Sequence, residues 1–403
     1  MKRNNILVIS LICLLCLSSC QSKTETPTAS YDIELVEAKK LTLPVDENTY
    51  YLSKSIFQFE ENEKEFLFFG NFEKKQHEIL IYDIEKQDLY KRISLEREGP
   101  NGLPSILGCR PFFDSKTFLV SQHNISRASV IDGDGNVVRH YNLRQANDKK
   151  GFLIDGRFGI SFFHMPSFTK DSIIYFSNGF FRQYMIGGRL NRDNWKLIPM
   201  FHSLNLKNGH IGRLSINYPD IFEDDVKTPA GGGYDFTYDY NYKEGKLVCS
   251  FTGYDSIMVT DDLKQVYWRN GKSRYLKSIR PKVYEADSFD WLREVKENPS
   301  YHNIMYDKYR NVYYRIARHP YQLEANESPF DDPNGQEFSI IIFDKDFNII
   351  GETKFPGNKY LYKMSFVGRD GLYISENNLA NPDFDEDKLV FACFKLEDIK
   401  GKE

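Results

Sequence analysis

The chain has 403 residues, long enough to bury a large core without covalent staples. Its 53 basic and 57 acidic residues give a formal charge of −4, which argues against nucleic acid as a partner, because phosphate binding needs a basic face. Tyrosine and phenylalanine, at 26 and 31 residues, point to strands rather than helices.

Lys2 and Arg3 open the chain, an apolar run follows from Ile6 to Leu17, and Leu17-Ser18-Ser19-Cys20 closes it. This is the layout of a signal peptide over residues 1–19, and the run is too short to span a bilayer as a mature helix. Leu-Ser-Ser-Cys resembles the lipobox of bacterial lipoproteins. The resemblance implies cleavage before Cys20 and lipidation of that cysteine, with acyl chains such as palmitate holding the protein to a membrane. Cleavage removes two bases and no acid, so the formal charge becomes −6. Residues 20–30 read as a flexible tether. Gln21 does not resemble the aspartate retention signal of enteric bacteria, which favours the outer membrane and leaves open whether the body faces the periplasm or the cell surface. With Cys13 and Cys16 lost and Cys20 lipidated, Cys109, Cys249 and Cys393 remain. Cys249 and Cys393 lie in apolar runs and read as core residues rather than as parts of a disulfide framework.

From Tyr31 to about residue 400, short alternating apolar segments are separated by Gly, Asn and Asp. Six apolar strand-and-turn segments, marked by Asp83, Asp132, Asn205, Asp261, Asp344 and Leu396, are spaced 49, 73, 56, 83 and 52 residues apart. Units of about fifty residues, each able to supply four strands, predict an all-β chain folded as a six-bladed β-propeller, with tandem β-sandwiches as the rival. The spacing and caps of Ser288 to Asn298 predict one short inserted helix stopped by Pro299.

Three segments add a family resemblance: Glu98-Gly-Pro-Asn-Gly102 with Ile106-Leu-Gly108, then Tyr306-Asp-Lys-Tyr-Arg-Asn-Val-Tyr-Tyr-Arg315, then Gly371-Leu-Tyr-Ile-Ser375 leading to Asp385-Glu-Asp-Lys-Leu389. In this order they resemble a family of six-bladed propeller lipoproteins of unknown function from Bacteroidales-type gut bacteria. The resemblance implies a fold and an envelope address, and it carries no catalytic residue.

Candidate chemistry is sparse. Asp132-Gly-Asp-Gly-Asn136 could wrap calcium or form a tight hairpin turn, and the missing loop glycine and terminal glutamate favour the turn. Asp383, Asp385 and Asp387, with Glu386 among them, form a more open case for a calcium site. Glu98 to Gly102 could hold an anion on turn amides or serve as a crossover between strand groups. No two histidines are spaced to ligate a metal from one element. In Val312 to His319, alternation puts Tyr314, Ile316 and Arg318 on one side and Tyr313, Arg315, Ala317 and His319 on the other. Arg310, Arg315, Arg318 and His319, with Arg182 and Tyr184 in Phe180-Phe-Arg-Gln-Tyr184, are candidates to bind a sugar or carboxylate by stacking and bidentate hydrogen bonds. Arg310 and Arg315 could instead brace the fold. Three functions follow as expectations: a noncatalytic envelope module acting as a binding or scaffold propeller for a glycan, peptide or partner protein; a metal-assisted hydrolase or lyase acting on a saccharide or lactone in a central channel; or a purely structural assembly subunit, which predicts a wide apolar patch on one face and no pocket.

Overall fold

The computed structural model describes residues 29–73, 76–112, 114–122, 127–143, 161–162, 165–177, 199–219, 236–279, 290–325, 327–328 and 333–400. Four separate four-stranded antiparallel meanders are found, each with its strands in chain order. The first holds β2 (Ile56–Glu61), β3 (Lys64–Asn71), β4 (His77–Asp83) and β5 (Asp88–Leu95). The second holds β6 (Ile106–Pro111), β7 (Thr117–Gln122), β8 (Arg127–Asp132) and β9 (Val137–Asn142). A small ladder of β10 (Ser161–Phe162) and β11 (Met165–Pro166) precedes the third, made of β12 (Phe168–Lys170), β13 (Ile173–Ser177), β14 (Phe201–Asn205) and β15 (Ile211–Arg213). The fourth holds β16 (Phe236–Asn241), β17 (Lys246–Phe251), β18 (Ile257–Thr260) and β19 (Tyr267–Arg269).

The remaining strands correct the expected fold. They are β1 (Ile33–Pro44), β20 (Ser300–Asp307), β21 (Val312–Arg318), β22 (Phe338–Phe343), β23 (Ile349–Phe355), β24 (Leu361–Val367), β25 (Leu372–Ser375) and β26 (Lys388–Asp398). Six separate blades do not form, because these strands join into one eight-stranded sheet ordered β20-β21-β22-β23-β1-β26-β25-β24. The joint is β1, which pairs antiparallel with β26 along its length and parallel with β23 where Ile33 meets Gly351. A Cβ at Gly351 would stand 2.0 Å from the Ile33 carbonyl oxygen, so only glycine lets the two strands approach. Among the described residues the architecture is all-β and propeller-like, with four separate four-stranded sheets, the two-stranded β10–β11 ladder and one eight-stranded sheet.

Alternation explains the core. Along β21, Tyr314 and Ile316 enter one apolar cluster with Ile340, Leu372 and Ile374, while Tyr313 and Ala317 enter another with Val259 and Ile341. The first of these lies between the two halves of the eight-stranded sheet, which folds back on itself. Phe68 and Phe118 likewise fill the gap between the first and second sheets. Each fully buried phenylalanine contributes about 2 kcal/mol of apolar transfer, which is why these aromatic-rich strands stack face to face. The predicted helix is present as α1 (Asp290–Glu297).

Candidate functional site

First strands gather around a common axis: β2 lies beside β6 and β24, β20 lies beside β16 and β24, and the β10–β11 ladder touches β6 and β16. Each four-stranded sheet is a meander, and the hairpins that follow β2, β6, β20 and β24 reach the same end of the axis. Ser115, in the β6–β7 turn, donates its amide to Glu61 Oε2 at 3.2 Å. Three other hairpins are locked at this mouth. From the β20–β21 turn, Tyr309 donates its hydroxyl to Glu60 and accepts from Gln58 Nε2 at 2.9 Å. From the β24–β25 turn, Arg369 donates to Glu60 Oε2 at 3.1 Å and to the Glu63 carbonyl at 2.8 Å. Burial alone would raise the Glu60 pKa, but the hydrogen bonds from Tyr309 and Arg369 and the charge of Lys308 bring it down to about 2.

Arg310 belongs to this lock. Its Nε donates to Asp307, and its terminal nitrogens donate to the carbonyls of Arg369 at 2.9 Å and Gly368 at 2.8 Å. Burial opposes its charge, yet the Asp307 carboxylate holds its pKa above the usual value. Arg315 is 0% exposed and lies on the second strand of its sheet, away from the ring. Its five N–H groups reach Ser250 Oγ and the carbonyls of Asp255, Gly271, Phe251 and Tyr254 at 2.5–3.2 Å. No donor is left for a ligand. Arg318 Nη2 donates to the carbonyls of Val295 and Lys296 at 3.2 and 3.0 Å, closing the C-terminal end of α1. His319 Nε2 meets Ser339 Oγ at 3.0 Å, and that hydroxyl donates to Glu352 Oε1 at 2.6 Å. Since the serine proton is committed to the carboxylate, the histidine donates from Nε2. Burial, with Lys354 nearby, pushes the His319 pKa down and keeps the ring neutral.

Arg182, Tyr184 and Cys20 lie outside the described residues. Asp383, Asp385 and Asp387 sit in the β25–β26 connection, where Asp385 accepts from Lys388 Nζ at 2.5 Å and from the Asp387 amide at 3.0 Å. Among the described residues no three His, Cys, Asp or Glu side chains come together as metal ligands. Asp132 caps its own turn, accepting the amides of Asp134 and Asn136 at 2.9 Å, with Gly135 at φ +88°. Within Glu98–Gly102 the amide of Gly102 is spent on the Gly99 carbonyl at 3.0 Å, consistent with a crossover from β5 to β6.

The mouth contains two residues that the sequence did not single out. Arg110, next to last on β6, stands over the ring of Phe57 on β2, 5.4 Å from its centroid. Only its Nε is engaged by protein, at 3.3 Å to the Pro111 carbonyl, so its terminal nitrogens have no hydrogen-bond or ion-pair partner among the described residues. Asp239 on β16 accepts the amides of Tyr240 and Tyr306, each at 2.8 Å. Burial raises its pKa to about 6 despite those bonds and the field of Arg110. The site thus offers an open guanidinium on an aromatic face, whose field reaches a carboxyl group that burial pushes up to about 6. Nothing in the local patterns, Cys109-Arg-Pro-Phe112 and Tyr238-Asp-Tyr240, marks either residue, because their role depends on two sheets meeting.

Comparison with known proteins places the chain. A crystal structure of a DUF4221 family member from Bacteroides vulgatus is 51% identical, covers 92% of this chain and 99% of its own, and superposes with a TM-score of 0.85. A protein from Bacteroides fragilis described as exported shares the fold at 10% identity, with 91% of this chain and 96% of its own covered and a TM-score of 0.52. No curated protein matches at a significant level. Among the described residues no helix is long and apolar enough to cross a membrane. With residues 32–354 matching its profile, the chain belongs to the Bacteroides-type family described as "Domain of unknown function (DUF4221)".

Proposed function

We propose that this protein is a noncatalytic binding module of the bacterial envelope, anchored to the outer membrane by lipid on Cys20, that holds a carboxylate-bearing glycan at the hairpin-end mouth. The observation that carries the reading is Arg110. Its guanidinium is positioned by Phe57 and left open, while Arg310, on the β20–β21 turn, is consumed by structural bonds. A planar guanidinium takes a carboxylate in a bidentate fork. The locked hairpins around it form a rigid rim, which lowers the ordering cost of binding.

Calorimetric titration of the full chain in nonionic detergent with glucuronate and with glucose tests the site. Glucuronate binds, glucose binds at least tenfold more weakly, and Arg110→Ala removes the difference without lowering the melting temperature. Equal binding of the two sugars, or an unaffected Arg110→Ala variant, overturns the reading. The anchor is tested separately: Cys20→Ala moves the protein from the membrane fraction to the soluble fraction.

A further inference from the structure

Five Asn-Gly pairs occur in the chain, beginning at Asn101, Asn178, Asn208, Asn270 and Asn334. Such a pair closes into a succinimide ring when the glycine nitrogen attacks the asparagine side-chain carbonyl, and glycine has no Cβ to shield that nitrogen. Asn178 lies outside the described residues. In two of the others the attacking nitrogen is committed: the Gly102 amide donates to the Gly99 carbonyl at 3.0 Å, and the Gly209 amide to the Asn205 carbonyl at 2.8 Å. The amides of Gly271 and Gly335 have no hydrogen-bond partner among the described residues.

The side-chain carbonyl then separates Asn270 from Asn334. Asn270, exposed and just after β19, folds its side chain back so that Oδ1 accepts the Lys272 amide at 3.2 Å. The same peptide unit touches a buried charge, because its carbonyl, that of Gly271, accepts Arg315 Nη1 at 2.9 Å. A guanidinium on the carbonyl strengthens the N–H of that peptide as a donor. The donor in turn stabilises the negative charge that develops on Oδ1 as nitrogen adds to Cγ. Asn334 has no such donor on its side chain among the described residues. Asn208 Oδ1 does accept an amide, that of His210 at 2.9 Å, but its glycine nitrogen is spent. The fold also fixes the second residue of the pair: a Cβ at Gly271 would stand 2.7 Å from Arg315 Nη1 and 2.9 Å from the Asp255 carbonyl oxygen.

We propose that Asn270 is a site of spontaneous deamidation, its carbonyl activated by the Lys272 amide on the Arg315-bound peptide, and that isoaspartate formed there loosens the Arg315 stack. The Gly271 nitrogen gives its proton to solvent base and bonds to Cγ; the Cγ–Nδ2 bond breaks and ammonia leaves with a proton from water. Water then opens the ring at either carbonyl, giving aspartate or isoaspartate, with no change of oxidation state. In isoaspartate the main chain runs through the former side chain and is a carbon longer, so the Gly271 carbonyl shifts from Arg315. None of this depends on what the mouth binds.

The test is incubation of the full chain in nonionic detergent at pH 8.5, with deamidation of each pair followed by peptide mass spectrometry. Asn270 converts at least tenfold faster than Asn101, Asn208 and Asn334, and the four rates converge once guanidinium chloride unfolds the chain. Comparison with Asn208 isolates the free glycine nitrogen, and comparison with Asn334 isolates the donor on the carbonyl. The melting temperature falls as isoaspartate accumulates at position 270, while Asn270→Gln, an exposed change, keeps its melting temperature through the same incubation. Native conversion at Asn208 or Asn334 as fast as at Asn270, a ranking that survives unfolding, or isoaspartate at 270 without a lower melting temperature overturns the proposal.

Discussion

Arg315 stacks its guanidinium on Tyr301, with its central carbon 3.5 Å from the ring centroid, deep between the fourth sheet and the eight-stranded sheet. Burial lowers its pKa, but only to about 10, so the group stays charged at neutral pH, held by four carbonyls, Ser250 Oγ and the tyrosine face. Replacing it with leucine orphans those acceptors. Arg315→Leu is expected to cost about 3–5 kcal/mol, and Arg315→Lys nearly as much because an ammonium has three donors rather than five. Urea unfolding of both variants checks this, and a lysine variant within about 1 kcal/mol of the parent would sink it.

Asp239 makes stability depend on pH in an unusual direction. Its folded pKa of about 6 lies above its ordinary value of 3.8, so between those values the native state binds more protons than the unfolded one. Stability then falls as pH rises through this window, and the penalty is complete above pH 6, by up to about 3 kcal/mol. Unfolding at pH 4.5 and 7.5 is compared for the parent and Asp239→Asn. The asparagine variant loses this part of the pH slope, and an unchanged slope would contradict the assignment.

Tyr309 ties the hairpins of two sheets through Glu60 and Gln58. Tyr309→Phe removes one hydroxyl shared by two bonds and is expected to destabilise by about 1–2 kcal/mol. Hydrogen exchange at the β2–β3 and β20–β21 turns should speed up more than in the sheet cores, which distinguishes a local lock from a global effect.

Cys109, Cys249 and Cys393 are free and buried. Burial pushes the thiols of Cys109 and Cys249 well above their ordinary pKa. None of the three reacts with a thiol reagent at pH 8 in the native protein, and all three react after denaturation. Rapid native labelling at any of them is the opposing result.

Much of this architecture was legible in the chain because strand chemistry is local. The strand-and-turn pattern, the β8–β9 turn at Asp132 and the helix before Pro299 all follow from neighbouring residues. The alternation through Val312 to His319 also sorted Tyr313 from Tyr314 correctly. The number of separate sheets was not legible, since it depends on Ile33 meeting Gly351 across more than three hundred residues. The arginines were misleading for a related reason. Tyrosines next to Arg315 look alike whether they frame a ligand or a structural stack, and only the five acceptors from the 250–271 region decide it. Arg110 gains its meaning from Phe57 on another sheet, so no window of sequence reveals it.

The ladder between β1 and β26 couples the two ends of the chain, with Ile33 opposite Asp398 and Pro44 opposite Lys388. A pull entering through the N-terminal segment acts along the strand axis, so the ladder is loaded in shear and its hydrogen bonds resist together rather than opening one at a time. The parallel contact at Gly351 passes part of that load to β23, on the other half of the long sheet. The strand that joins the two halves therefore also shares any load on the N-terminal segment between them, through β26 on one side and β23 on the other.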